Sequence, residues 1–244
     1  QMWKQFGDTS IIDTNWESMS LYMKRCAETK FEHKAIAGEC GNYQWSDWLS
    51  YEPLESHRGD SYTVVNGRRS PKSETLAYWD YLGACYWMWD ARQMSEMAKA
   101  TGRVAEEKFY SEMAEEALAY IRKSFFTNEG KFKVEILNTM QTPALFALKL
   151  GILENEQKER MVKALRKNIA DHGDCLQTGF LGTSILMETL SEVGLSDVAY
   201  TLLLQHKNPS WLYSIDQGAT TIWERWNSYT KATGFGPTDM NSFN

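Results

Sequence analysis

One carboxylate near the end of the chain stands among aromatic residues. The stretch 218–226 reads Gly-Ala-Thr-Thr-Ile-Trp-Glu-Arg-Trp, so Glu224 directly follows Trp223 and lies two residues before Trp226. Bulky rings limit the contact of a carboxylate with water, which fits such a group for proton transfer near neutral pH. The rings can also stack on a pyranose. The residues favour equally a second interpretation, in which Glu224 pairs with Arg225 or another base and stabilises a turn.

A long segment without helical periodicity, 30–72, carries the second group of candidate residues. A connection of this length in a compact domain is commonly functional or disordered, and its aromatic content favours function. We expect this segment and 207–226 to meet at one end of a helical scaffold and to form the site. For four of its acids a solvated surface is the favoured interpretation: Glu39, Glu52, Glu55 and Asp60.

The rest of the chain reads as one helix after another. Residues 73–101 are predicted to form a helix that is ended by Gly102. Its middle, 78–89, is apolar on nearly all sides, which predicts burial on both faces. The segments 104–124 and 156–170 instead carry one apolar stripe with charged residues opposite. Two further apolar helices are predicted at 183–193 and 196–206. Side-chain caps are predicted at Thr14, where a helix places Trp16, Met19, Met23 and Cys26 on one face, and at Thr142, before Pro143.

This alternation of apolar and one-sided helices predicts two layers of helices, inner and outer. The fold is therefore expected to be all-α, of the (α/α)6 barrel type, in a single domain over 1–244. The barrel is expected to be incomplete, because seven or eight helices are fewer than the twelve that six pairs would need. Strands are expected only as short pieces near 43–65 and 207–225.

The composition excludes several classes of partner. The net charge of −6 and the absence of long Lys/Arg runs argue against nucleic acid, and no apolar run is long enough to span a membrane. The four cysteines form no CxxC pair and the histidines no HxxxH pair, so no metal or other cofactor is expected. Free thiols are the default interpretation of these cysteines, with two disulfides left open. The start, Gln1-Met2-Trp3-Lys4, lacks the pattern of a signal peptide.

The stretch 218–226 resembles the signature of the α-L-rhamnosidases of glycoside hydrolase family 78. Other stretches follow in that family's order: Gly7-Asp8, Gln141-Thr142, Leu176-Gln177-Thr178-Gly179-Phe180-Leu181-Gly182-Thr183, Ala199-Tyr200, Pro209-Ser210-Trp211 and Met240-Asn241-Ser242-Phe243-Asn244. The resemblance covers essentially the whole chain and is specific over 176–244 and loose over 1–150.

The resemblance implies a helical-barrel enzyme that removes terminal α-L-rhamnose from glycosides or polysaccharides, with inversion at the anomeric carbon and without a cofactor. It implies that Glu224 is the general base and that Trp223 and Trp226 line the sugar pocket. Ser46-Asp47-Trp48 stands where the family reads Gly-Asp-Trp, which makes Asp47 and Trp48 candidate sugar contacts although the glycine is missing. Trp79 is a further candidate, as a pocket tryptophan on an inner helix.

Two departures from the family qualify this prediction. The acidic motif that holds the family's general acid is not in this chain, and the chain ends at Asn244, directly before the position of a pocket histidine. We therefore expect the rest of the same polypeptide to be missing at both ends, and the isolated chain to be inactive. Two alternatives stay open: a helical-barrel hydrolase of a different sugar, and a non-catalytic helical module that binds carbohydrate.

Overall fold

The computed structural model describes residues 2–29, 46–54, 62–65 and 67–236. Nine α-helices lie in these ranges: α1 (Met2–Phe6), α2 (Ser10–Thr29), α3 (Ser73–Ala100), α4 (Val104–Phe125), α5 (Gln141–Lys149), α6 (Asn155–Asp171), α7 (Phe180–Glu192), α8 (Ser196–Leu203) and α9 (Trp211–Asp216). A short 3-10 helix covers Glu135–Thr139. The expectation of an all-α fold is confirmed.

Three helical hairpins form two layers. Each inner helix packs against the outer helix that follows it, α3 against α4, α5 against α6 and α7 against α8. The inner helix α5 also packs against both α3 and α7. All residues of α5 from Gln141 to Leu148 are buried, whereas α6 buries only Met161, Leu165 and Ile169. The predicted contrast is therefore confirmed for α3 with α4 and for α5 with α6. It is not confirmed for the third hairpin, because α8, predicted as an apolar helix, is an outer helix that buries only Val198, Ala199 and Leu202.

Side-chain hydrogen bonds to backbone carbonyls join the α3–α4 hairpin to the chain of the α5–α6 hairpin. The hydroxyl of Tyr81 on α3 donates to the carbonyl of Pro143 on α5 at 2.9 Å. Arg92 and Arg122 donate to the carbonyls of Leu150 and Ile152, at 2.6 and 2.7 Å. These two carbonyls follow α5, so the arginines donate to backbone acceptors in the connection between α5 and α6.

The N-terminal helix α2 lies beside the turn between α3 and α4. The guanidinium of Arg103 lies 4.6 Å from the centre of the Trp16 ring and 2.8 Å from a carboxylate oxygen of Asp13. Met23 and Cys26 are buried on the predicted face of this helix. The described cysteines, Cys26, Cys85 and Cys175, are buried free thiols.

The helix ends agree with the sequence better than the helix starts. Gly102, Gly151, Gly173 and Gly194 follow helices with positive φ, the conformation that glycine favours. The cap predicted at Thr14 is wrong, because α2 begins at Ser10 and the carboxylate of Asp8 accepts from the amide of Ser10. The cap predicted at Thr142 is also wrong, because α5 begins one residue earlier and the hydroxyl of Thr142 donates to Asp47.

The described residues contain two short pairs of antiparallel strands. Strand β1 (Tyr62–Val65) pairs with β2 (Arg68–Pro71), and β3 (Tyr229–Thr230) pairs with β4 (Gly234–Phe235). The first pair begins within the predicted region near 43–65. The second lies beyond the predicted region near 207–225, part of which forms the helix α9. None of the helices in the described ranges is both long and apolar enough to cross a membrane.

Candidate active site

A cavity of about 580 Å³ opens between the first turn of α7, helix α9 and two loops. The loop 46–54 contributes Trp48 and Leu49, and the loop after α9 contributes the run from Ala219 to Trp226. The remaining lining residues come from α7 and α9: Gly179, Phe180, Thr183, Ser184, Trp211, Ser214 and Ile215. The described part of the long loop and the segment 207–226 therefore meet, as the sequence predicts.

Glu224 lies in the wall of this cavity between Trp223 and Trp226 and is partly exposed. Among the described residues that line the cavity it is the only carboxylate. The turn after it is closed by the buried Ser228, whose hydroxyl accepts from the amide of Arg225 at 3.2 Å and donates to its carbonyl at 3.1 Å. The direction of the Glu224 backbone is thus set by a closed turn.

Trp226 joins the Glu224 loop to the start of α7. Its indole N–H donates to the carbonyl of Thr178 at 3.0 Å. Its ring also meets Trp211 of α9 edge to face, with ring centres 5.4 Å apart. A hydrogen bond at one end and a ring contact at the other hold this tryptophan in one orientation.

The loop that carries Trp48 lies directly on the segment before α7. The amide of Phe180 donates to the carbonyl of Trp48 at 3.0 Å, and the amide of Tyr51 donates to the carbonyl of Gln177 at 2.8 Å. Gly179 permits this approach, because a Cβ there would lie 2.1 Å from the Trp48 carbonyl oxygen. The wall made by Trp48 therefore depends on a glycine in the facing chain.

Ser46 stands at the position where the family resemblance implies a glycine. Its φ is 55°, in the left-handed region that glycine adopts at little cost and other residues rarely occupy. A serine thus adopts here a backbone conformation that glycine would adopt more easily. Leu49, three residues on, also has a positive φ of 60°, so the loop is held in a conformation that its own residues do not favour.

The expectation that Asp47 contacts sugar is wrong, because its carboxylate is fully buried and faces the protein. One oxygen accepts from the amides of Leu181 and Gly182 at 2.7 and 3.0 Å. The other accepts from the amide of Gly179 at 2.7 Å and from the Thr142 hydroxyl at 2.5 Å. Asp47 is thus the acceptor that caps the start of α7.

The expectation that Glu52 belongs to a solvated surface is also wrong, because its side chain is buried. One carboxyl oxygen accepts from the amides of Gln141 and Thr142, the latter at 3.0 Å, and so caps the start of α5. The other oxygen has no hydrogen-bond partner among the described residues. Glu39, Glu55 and Asp60 lie outside the described residues.

Burial of two neighbouring carboxyl groups changes their protonation. Desolvation, followed by the negative charge of Asp47, raises the pKa of Glu52 to about 8. Desolvation also raises the pKa of Asp47, but four hydrogen bonds to its carboxylate oppose this change. Because both oxygens of Asp47 already accept hydrogen bonds, we assign the charge to Asp47 and the proton to Glu52.

Trp79 is not among the described residues that line this cavity, and its place in the sugar pocket stays a prediction. Its side chain is 2% exposed and lies on a buried side of α3. The buried Asp47 and Glu52 are the residues whose actual role the sequence did not reveal. A signal was present: α5 and α7 are preceded by Met140 and Gly179, whose side chains offer no oxygen to the first amides.

Paired helices in two layers, with a carboxylate in an aromatic cavity at the end of an inner helix, are the arrangement expected of a helical-barrel glycosidase domain. Residues 1–244 match the family described as the bacterial alpha-L-rhamnosidase 6 hairpin glycosidase domain. The chain belongs to this family, and the resemblance found in the sequence is confirmed.

Relatives and solved structures agree with the family. An α-L-rhamnosidase of Formosa agariphila is 34% identical over 99% of this chain and 24% of its own length. An α-L-rhamnosidase of an Alteromonas species is 28% identical over 100% of this chain and 24% of its own length. The chain thus spans about a quarter of these relatives.

The structure of the Streptomyces avermitilis α-L-rhamnosidase in complex with L-rhamnose has the same fold. The alignment covers 98% of this chain and 20% of the Streptomyces avermitilis chain, with a TM-score of 0.76 and 24% sequence identity.

Proposed function

We propose that the protein hydrolyses terminal α-L-rhamnosides and that Glu224 is the general base of the reaction. The observation that carries this proposal is a carboxylate that lines, together with two tryptophans, a cavity of about 580 Å³. That volume lies within the range of roughly 300–1,000 Å³ that is usual for ligand pockets. Membership of the rhamnosidase family and the activity for which the relatives are named support rhamnose as the sugar.

The chemistry needs two carboxyl groups on opposite faces of the sugar. Glu224 takes a proton from water as the water oxygen attacks the anomeric carbon. A carboxylic acid gives its proton to the glycosidic oxygen, and the bond between that oxygen and the anomeric carbon breaks. Inversion requires the two groups to lie roughly 6.5–9.5 Å apart. Since Glu224 is the only carboxylate among the described cavity residues, we propose that the acid comes from outside them, as the family resemblance implies.

Three tryptophans support a sugar site around Glu224. Trp48 lines the cavity from the loop 46–54, and Trp223 and Trp226 line it from the Glu224 loop. Indole faces pack against the C–H groups of a pyranose, while hydroxyl groups of Thr183 and Ser184 in the same wall can bond the sugar hydroxyls.

The activity test uses a panel of aryl glycosides and the full-length protein. We expect release of the aryl group from the α-L-rhamnoside at a rate far above that from α-L-fucoside, α-D-mannoside or β-D-glucuronide. Proton NMR during the reaction should show β-L-rhamnose as the first sugar product, as inversion requires.

Preference for another sugar in the panel would replace rhamnose and favour the different-sugar alternative. Binding of rhamnose without release from any member of the panel would favour a carbohydrate-binding module.

A further inference from the structure

We propose that Asp47 is a positioning residue of the sugar cavity, which fixes the first turn of α7 against the loop that carries Trp48. This inference rests on the proposed function, because it assigns a task to Asp47 in the sugar site described above. Asp47 does not touch the cavity itself. It acts through the residues on either side of its carboxylate.

The hydrogen bonds of Asp47 join three parts of the chain. Its carboxylate accepts from three amides at the start of α7 and from the hydroxyl of Thr142 on α5. Its own backbone continues directly into Trp48. Because a carboxylate that accepts several hydrogen bonds is held more firmly than a neutral acceptor, this one side chain ties the loop to both inner helices.

The turn that Asp47 caps carries part of the cavity wall. Gly179 and Phe180 line the cavity at the capped end of α7, and Thr183 follows in the next turn. A Cβ on Gly182 would lie 2.4 Å from the Thr142 hydroxyl oxygen and 2.9 Å from a carboxylate oxygen of Asp47. The α7 turn, Thr142 and Asp47 can therefore lie this close together because position 182 carries no side chain.

Glu52 supplies a matched control in the same loop. It is buried like Asp47 and also caps an inner helix, but the residues that it caps are Gln141 and Thr142 of α5. Neither of these lines the cavity. Loss of Glu52 should therefore affect folding without a direct effect on the sugar site.

The test compares three variants of the full-length protein by steady-state kinetics on an aryl α-L-rhamnoside, by calorimetric titration with L-rhamnose, and by Tm. Asp47→Asn should raise KM and the Kd for L-rhamnose by about tenfold, with kcat changed by less than about threefold. Thr142→Val, which removes one of the four hydrogen bonds, should raise both by about threefold. Glu52→Ala should lower Tm at least as much as Asp47→Asn and leave KM within about twofold of wild type.

Several results would overturn the inference. Asp47→Asn and Thr142→Val with wild-type KM and Kd would show that the carboxylate has no influence on the sugar site. Equal changes in KM for Asp47→Asn and Glu52→Ala would make both residues purely structural. If Asp47→Asn does not fold, Thr142→Val decides alone. A wild-type protein that neither binds nor releases rhamnose overturns the proposed function together with this inference. If the wild-type protein is active but Asp47→Asn and Glu52→Ala change KM equally, only the inference is overturned.

Discussion

At the scale of single residues, tryptophans in this protein have two different tasks. Trp48, Trp211, Trp223 and Trp226 are partly exposed and line the cavity. Trp79 is buried in α3 and has no open face. Composition and sequence position do not separate these tasks, because both kinds of tryptophan stand among apolar and acidic neighbours.

Matched truncations should separate the two kinds. Trp48→Ala should weaken L-rhamnose binding by about threefold to tenfold, the effect of losing one aromatic contact, and should change stability little. Trp79→Ala should lower the free energy of unfolding by about 3–5 kcal/mol, because it leaves a large cavity in the interior. Calorimetric titration and urea unfolding of both variants check this. Normal stability and weakened sugar binding of the Trp79 variant would show that Trp79 contributes to the sugar site.

At the scale of helices, the inner helices near the cavity begin without local caps. Met140 precedes α5 and Gly179 precedes α7, and neither side chain has an oxygen to accept from the first amides. The acceptors come from Glu52 and Asp47, about 90 and 130 residues away in the chain. Two helix starts are thus tied to one loop, and of the two acceptors Asp47 is the one that directly precedes Trp48.

The buried Glu52 predicts a dependence of stability on pH. The pKa of its carboxyl is raised from 4.5 to about 8, first by burial and then by the charge of Asp47. Between these values the folded chain holds a proton that the unfolded chain has lost. The stabilising effect is therefore complete below about pH 4.5 and is lost as the pH rises towards about 8, by at most ~1.4 kcal/mol per pH unit. The Glu52 carboxyl faces Asp47 and the Tyr78 hydroxyl.

Urea unfolding at about pH 5, 6.5 and 8 measures this dependence. Glu52→Gln keeps the acceptor that caps α5 but carries no titrating proton, so its stability should fall less steeply with pH than that of wild type. Parallel curves for the two proteins would show that Glu52 does not change protonation across this range.

The sequence predicts the inner and outer helices because their periodicity records burial directly. The stripe over 104–124 and the glycines after the helices are local signals, and the structure agrees with them. The caps at Thr14 and Thr142 were predicted wrongly because a local rule assumes a local acceptor. Asp47 was predicted as a sugar contact because the family motif marks its position but not the direction of its side chain. That direction depends on Gly179 and Gly182, which only the fold brings near.

At the scale of the whole molecule, the candidate site lies where the helical layers meet two non-helical segments. The hairpins α3–α4, α5–α6 and α7–α8 supply a rigid support. The loops 46–54 and 218–226 supply most of the polar and aromatic wall, and both contact the segment 177–180. A scaffold of packed helices with functional loops at one end is a common way to hold a site in fixed geometry.

The substitution Glu224→Gln in the full-length protein tests the central proposal most directly, with Glu159→Gln, an exposed carboxylate on α6, as the control. The amide keeps the size of the side chain but takes no proton from water. We expect kcat on an aryl α-L-rhamnoside to fall by about 10²–10⁴, with KM and Tm close to wild type. A kcat near wild type together with a lowered Tm would contradict this account and would make Glu224 a structural partner of a basic residue.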